Sequence, residues 1–429
     1  MCYNVDIEQM FVYRQKAGEA AVRTILHSDL NNFYASVECV YNPELRKVPL
    51  AVCGDPEARH GIVLAKNDLA KCMGVKTGEA IWQARQKCPN LQVTPPNFKR
   101  YMRFAKMMRQ IYADYTGHIE PFGLDEAWLD VTGHAKSGEE IADELRFRAK
   151  AELGLTVSVG VSFNKIFAKL GSDMKKPDAT TLITPENYRQ KVWPLPVEEL
   201  LFVGPATKRK LNSRNIRTIG DLANCDPGAL RAALGKNGEM LWNFARGNDC
   251  SPVMSVDETA AVKSVGNSTT APRDLVNEHD VHLVLLLLSE SVAERLRVQN
   301  LRGSVITLYV RDCALNSLSC QRKISAPTAL SRDIAAHAQA LFRERYRWER
   351  PIRSLGVSVS GLEMQGGNQQ ICMFPDPSAQ RYELEDAVRD IRRRFGHGSI
   401  GRASLLADAG LNEINPRDDH VIHPVGWRG

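Results

Sequence analysis

Thr24-Ile25-Leu26-His27-Ser28-Asp29-Leu30-Asn31-Asn32 reads as a buried strand running into a polar turn, with an acid parked at the strand end. A second acidic stretch, Gly123-Leu124-Asp125-Glu126-Ala127-Trp128-Leu129-Asp130-Val131-Thr132, joins a strand at 119–122 to one at 127–131. Tyr101, Phe104, Met108, Ile111 and Tyr115 recur at three- and four-residue spacing, which predicts an amphipathic helix over 98–115. A helix over 139–153 is stopped by Gly154, and an alternating strand follows at 155–161. The order strand, helix, hairpin, helix, strand predicts an α+β fold around a split βαβ, ferredoxin-like sheet with helices on one face.

If the two acid-bearing strands are neighbours, Asp29, Asp125 and Glu126 meet at one sheet edge. Divalent cations relieve the repulsion of three carboxylates, and hard oxygen donors suit Mg²⁺ or Mn²⁺ better than zinc. Two such ions about 4 Å apart activate a hydroxyl nucleophile and stabilise the leaving oxygen of a phosphoryl transfer. Adjacent strand residues point to opposite faces, so Asp125 and Glu126 share a site only where the hairpin bends. On spacing alone, ordinary loop acids are the competing reading.

The rest of the chain bounds the choices. Its 429 residues are 43% hydrophobic and 25% charged, which excludes global disorder and a fibrous architecture. The +6 net charge permits a polyanionic partner without requiring one. Ten cysteines occur without a Cys-x-x-Cys pair, so a reducing cytoplasm is expected rather than a zinc cage or a disulfide framework. The apolar run Val281 to Leu288 is too short to span a bilayer, and the N-terminus, with Asp6 and Glu8, has no apolar signal core. Short helices follow Pro177, a polar linker covers 251–260, a separate α+β module covers 261–365, and a linker with one basic helix at about 380–395 makes the tail.

The stretches Asp29 to Glu38 and Gly123 to Thr132 resemble the two catalytic motifs of the Y-family translesion DNA polymerases, DinB-like branch. Val159-Gly160-Val161-Ser162-Phe163-Asn164-Lys165-Ile166-Phe167-Ala168-Lys169, continuing to Lys175-Lys176-Pro177, is a third match. The resemblance implies a right-handed polymerase: an extension at 1–22, a palm at 23–32 and 98–172, small fingers at 33–97, a helical thumb at 173–250, a little finger at 261–365 and a tail at 366–429. It implies that Asp29, Asp125, Glu126 and the Leu30 carbonyl bind two Mg²⁺, with Mn²⁺ as a substitute. The implied reaction is template-directed attack of a primer 3′-hydroxyl on a dNTP α-phosphate, past damaged bases and without proofreading, by a cytoplasmic monomer.

By the same resemblance Tyr34 is a steric gate under the incoming sugar beside Phe33, and Lys165 contacts the triphosphate. The fingers depart from the family's Asn-Tyr-x-Ala-Arg: Asn67-Asp68-Leu69-Ala70-Lys71 keeps the charge at Lys71 but not the bidentate fork, and Asp68 gives no donor. Gly123 and Trp128 replace the family's usual Ser and Tyr, removing no metal ligand. Val203, Gly204, Ala206 and Thr207 resemble a helix-hairpin-helix that offers backbone amides to a DNA phosphate. Arg353 meets DNA backbone or is a solvated edge-strand charge. Gln370, Ile371, Met373 and Phe374 resemble the bacterial sliding-clamp binding motif. A catalytically inactive DNA-binding adaptor and a nucleotide cyclase are the competing classes.

Overall fold

A computed structural model describes residues 23–55, 61–258, 261–365, 377–412 and 414. The chain divides near residue 260 into two compact units. The first is built on a five-stranded sheet in the order β5 (Ile119–Pro121), β6 (Glu126–Asp130), β1 (Ile25–Leu30), β7 (Val157–Ser162), β8 (Thr180–Ile183). β1 pairs antiparallel with both β6 and β7, and all six of its residues are buried. The sheet runs past the palm boundary expected at 172, because β8 adds in parallel to β7 and buries Ile183.

Strand alternation sends Leu26, Leu30, Leu129, Val157, Val159 and Val161 into a core with the helices Phe98–Ala113 and Gly138–Leu153. The other face is not bare, contrary to the one-sided expectation. It carries the helix Lys165–Met174, whose Ala168 packs with Ile25 and Trp128. This helix can lie directly on β7 because Gly160 has no side chain: a Cβ there would stand 1.9 Å from the Ala168 carbonyl oxygen and 2.5 Å from the Ser172 nitrogen. Asn164 caps the helix, its side chain accepting a hydrogen bond from the Phe167 amide at 2.8 Å.

A small second sheet places β2 (Leu50–Cys53) between β3 (Val63–Lys66) and β4 (Gln92–Thr94), over a core that includes Ala51, Val63, Ala70 and Ile81. Four short helices between Pro205 and Ala245 enclose a third core around Leu211, Ile219, Leu222, Leu230 and Leu241. The polar stretch read as a linker is pinned to the sheet for its first half. Arg23 donates to the Ser251 carbonyl, Val256 N–H donates to the Gly117 carbonyl, and Val253 is buried beside Ile25 and Trp128.

The second unit is a four-stranded antiparallel sheet in the order β11 (Ser317–Thr328), β10 (Leu301–Asp312), β12 (Ile352–Met364), β9 (Ser264–Leu275). The helices Glu278–Val298 and Ser331–Arg345 cover one face, onto which β10 directs Ile306, Leu308 and Val310. The intervening residues Thr307, Tyr309 and Arg311, with Ser319, Gln321 and Ser358 across from them, line the other face. The tail packs on this unit. Helix Pro377–Phe395 sends Glu385 to the buried guanidinium of Arg297, Arg392 and Arg402 share Glu290, and Leu405, Leu411 and Ile414 enter the core.

The Gly160 contact is the test of this packing. Gly160→Ala is expected to cost about 3 kcal/mol of stability, the order of an overpacked core site, as a fall in thermal melting temperature. A melting curve unchanged from that of the parent would contradict the close approach.

Candidate active site

The antiparallel register sets Asp29 directly across from Glu126, so both carboxylates project from the face that carries helix Lys165–Met174. Asp125 lies in the bend before β6, after Gly123 at φ 102°, outside the alternation that would have turned it away. The bend is fixed by Leu30 N–H donating to the Asp125 carbonyl at 3.0 Å. The condition for Asp125 and Glu126 to share an edge is therefore met by the backbone.

Helix Lys165–Met174 brings cations onto these acids. Lys169 Nζ stands 3.3 Å from Asp29 Oδ2, 3.0 Å from Glu126 Oε2 and 3.1 Å from Asp173 Oδ2. Lys176 Nζ stands 2.7 Å from the same Asp29 oxygen and 2.8 Å from Asp173 Oδ1. Behind Glu126 the buried His27 presents Nε2 at 3.3 Å, while its Nδ1 pairs with Ser172 Oγ at 2.8 Å. Neither His27, Lys169 nor Asp173 was singled out for this role from the sequence. His27 falls on the right strand face two residues before Asp29, the one signal that pointed to it.

The charges are strained toward a cation. Burial and then the Glu126 charge push the Asp29 carboxyl up from the usual carboxylate range. Burial, with Glu126 and Asp29 close by, pushes Asp125 up to about 7. Burial works against the Glu126 carboxylate, but His27 and the Lys169 ammonium beside it outweigh it and hold the group down at about 2. Burial likewise opposes the Lys169 ammonium, and Glu126 and Asp29 overcome it, raising its pKa.

This donor set fits a divalent cation. Two carboxylate oxygens from neighbouring strands already converge on one ammonium group, which stands where a cation would sit, and a third acid is held at high pKa by burial and by their charges. As the side chains are arranged here, on the two lysines, no three His, Cys, Asp or Glu among the described residues surround a single point. Asp29 and Glu126 thus converge at one edge, and Asp125 lies in the bend that precedes Glu126.

Beside the acids, Phe33 is buried and Tyr34 stacks on Tyr101, with centroids 4.3 Å apart and rings 10° from parallel. Tyr101 is itself tied to Glu38 by its hydroxyl at 2.8 Å, and Phe98 closes on both rings edge-on. Burial, with the Asp125 charge next, pushes the Tyr34 hydroxyl up to about 12, so it faces the site as a neutral phenol. Asp68 opens the short helix Asp68–Cys72, which carries Lys71, and accepts a hydrogen bond from Asn32 at 2.9 Å.

Lys165 is not brought to the acids. Its ammonium pairs with Glu120 at 2.7 Å, lies 4.6 Å from the centre of the Trp128 ring, and reaches the Pro252 carbonyl at 3.4 Å. Lys165 lies one turn before Lys169 on the same helix face, over Trp128 instead of over Asp29 and Glu126. In the helical part, Val203 is buried, Gly204 is the N-cap with Pro205 at the first position, and Ala206 and Thr207 open the helix Pro205–Asn212. Arg353 lies on β12, an internal strand, which removes the edge-strand reading. Gln370, Ile371, Met373 and Phe374 lie outside the described residues.

Family models agree along the chain. Residues 28–173 match the impB/mucB/samB family, residues 262–373 its C-terminal domain, and residues 199–249 the DNA polymerase-iota thumb domain. The chain is 52% identical over 397 residues to DNA polymerase IV of Acetivibrio thermocellus, covering 91% of this chain and 100% of that protein. It is 38% identical to DNA polymerase IV of Clostridium acetobutylicum, over 90% of this chain and 98% of that one. A solved Y-family DNA polymerase chimera, Dbh-Dpo4(243-245)-Dbh, superposes with a TM-score of 0.70 at 26% identity, covering 80% of this chain and 99% of the chimera.

The position of Lys165 yields a direct check. Lys165→Met strands the Glu120 carboxylate in a mostly buried setting and is expected to cost about 2–4 kcal/mol in denaturant unfolding, with the KM for nucleotide unchanged. A raised KM with stability intact would restore a triphosphate role to Lys165.

Proposed function

As a member of the Y family of DNA polymerases, in its DNA polymerase IV-like branch, the chain is a template-directed polymerase that synthesises DNA past damaged bases, and we propose that Asp29, Asp125 and Glu126 carry its catalysis. The enzyme depends on divalent metal, and its substrates are primer-template DNA and dNTPs. The observation that carries the residue assignment is the convergence of Asp29 and Glu126 on one cationic point, with Asp125 beside them. Two Mg²⁺ ions, for which Mn²⁺ can substitute, supply Lewis acidity toward the primer hydroxyl and the α-phosphate when bound. Asp29, Asp125 and Glu126, with the Leu30 carbonyl, would hold them.

The chain's own residues do the rest. Tyr34, made rigid by its stack on Tyr101, sets a floor beneath the sugar that leaves no room for a 2′-hydroxyl. Lys71 supplies charge to the triphosphate from the fingers side, and Lys176 is the cation from the palm side, in place of Lys165. His27 holds Glu126 from behind. Amides at Gly204, Ala206 and Thr207, together with Val203, form a phosphate-binding hairpin in the thumb. The polar face of the four-stranded sheet, with Arg311 on β10 and Arg353 at the irregular start of β12, suits a nucleic-acid backbone without base readout.

The domain limits, with a palm sheet that ends at β8, a thumb after it up to residue 250 and a little finger over 261–365, belong to the same proposal. So do docking on a sliding clamp through Gln370, Ile371, Met373 and Phe374, action as a monomer, and cytoplasmic residence. Cys39, Cys53 and Cys88 are buried free thiols, which suits a reducing compartment. No helix among the described residues is long and apolar enough to cross a membrane.

One primer-extension series tests this reading. Asp125→Asn is expected to lose extension by about 10³-fold or more while duplex affinity survives. In the same series Tyr34→Ala gains ribonucleotide insertion, and Met373→Ala with Phe374→Ala loses stimulation by the clamp. Ordinary extension by Asp125→Asn at physiological Mg²⁺ would overturn the metal assignment.

A further inference from the structure

Lys169 and Lys176 sit on the oxygens that the cations proposed above need. Asp29 Oδ2 is shared by both ammonium groups, at 3.3 and 2.7 Å, and Glu126 Oε2 takes Lys169 at 3.0 Å. A divalent ion that takes Asp29 and Glu126 must displace both lysines, since like charges at about 3 Å repel strongly in a partly dry site. A displaced Lys169 cannot simply enter solvent, because its side chain is only 13% exposed. Left unpaired there, its ammonium would carry a desolvation cost and would oppose metal entry.

Asp173 offers the alternative. Its two oxygens are divided between the lysines, Oδ2 at 3.1 Å from Lys169 and Oδ1 at 2.8 Å from Lys176. It lies one helical turn after Lys169 and three residues before Lys176, so it reaches both from the far side of Asp29. At 39% exposure it is the open member of the cluster, against 7% for Asp29 and 20% for Glu126. It therefore bonds both cations without taking part in the acid trio.

We propose that Asp173 is a positioning residue: it receives Lys169 and Lys176 when divalent cations displace them from Asp29 and Glu126. The lysines neutralise the acids before metal arrives, and Asp173 keeps each lysine paired afterwards. Asp173 thereby sets the metal concentration at which the site assembles, not the chemical step. This rests on the assignment of Asp29 and Glu126 as metal ligands.

The test is a Mn²⁺ titration of the full chain on primer-template without nucleotide, with free ion counted by electron paramagnetic resonance. Asp173→Asn is expected to weaken Mn²⁺ binding about three- to tenfold, the order for losing a half-buried ion-pair partner, and to raise the half-saturating Mg²⁺ for extension by a like factor. Asp173→Glu restores the affinity. In a Lys169→Met background the effect of Asp173→Asn shrinks, because one of the two cations it receives is gone. Parental Mn²⁺ affinity in Asp173→Asn overturns the proposal. So does an equal loss in both backgrounds, which marks a long-range charge effect. Asp29→Asn, run alongside, separates the two levels. If it binds Mn²⁺ like the parent, the ligand assignment fails and takes this inference with it; if it loses Mn²⁺ while Asp173→Asn does not, only the role of Asp173 falls.

Discussion

The pairing of β1 with β6 in a single register, Asp29 opposite Glu126, is the constraint on which the site depends. Side chains alternate with a period of two, so a slip of one residue in either strand would send its acid to the opposite face, among aliphatic side chains and away from its partner. That slip is resisted from both sides. Leu26 and Leu30 fill the core beneath the sheet, while Ile25, His27 and Trp128 fill the contact above it. Hydrophobic patterning that would be needed for folding alone therefore also aims the carboxylates.

Holding three acids together carries an electrostatic cost, and the fold answers it with a helix laid on the same face. Gly160 permits the close approach, and the approach places Lys169 within contact of Asp29 and Glu126. The acids are thus compensated in the protein by ammonium groups, the ones proposed above to yield to divalent cations. One turn earlier on the same helix face, Lys165 pairs with Glu120, which also accepts from the Met254 amide and so fastens the chain after Asp249 to the sheet. Successive turns of a single helix serve architecture and chemistry.

Much of this was legible in the residues. The strand-end acids and the glycine-stopped helix at 139–153 follow from local patterns, and the three motifs carried the family. What escaped depended on distant partners. Lys165 and Lys169 are equivalent on a helical wheel until Trp128 and Glu120, from other elements, take Lys165. β9 and β11 alternate weakly and contain Pro272 and Pro327, so neither reads as a strand without the neighbours that hydrogen-bond to it. Leu405, Leu411 and Ile414 are scattered through a polar tail, and only the docked helix with its Arg297–Glu385 pair shows where they are buried.

The account turns on cations replacing lysine between β1 and β6. Diffraction from crystals of the enzyme with Mn²⁺, a primer-template ending in a dideoxynucleotide and the matching dNTP, collected at the manganese edge, measures this directly. Anomalous peaks bounded by the carboxylates of Asp29, Asp125 and Glu126, with Lys169 Nζ moved off Asp29, are the predicted result. Manganese bound elsewhere, with Lys169 still paired to Asp29 and Glu126 beside a bound nucleotide, would contradict it.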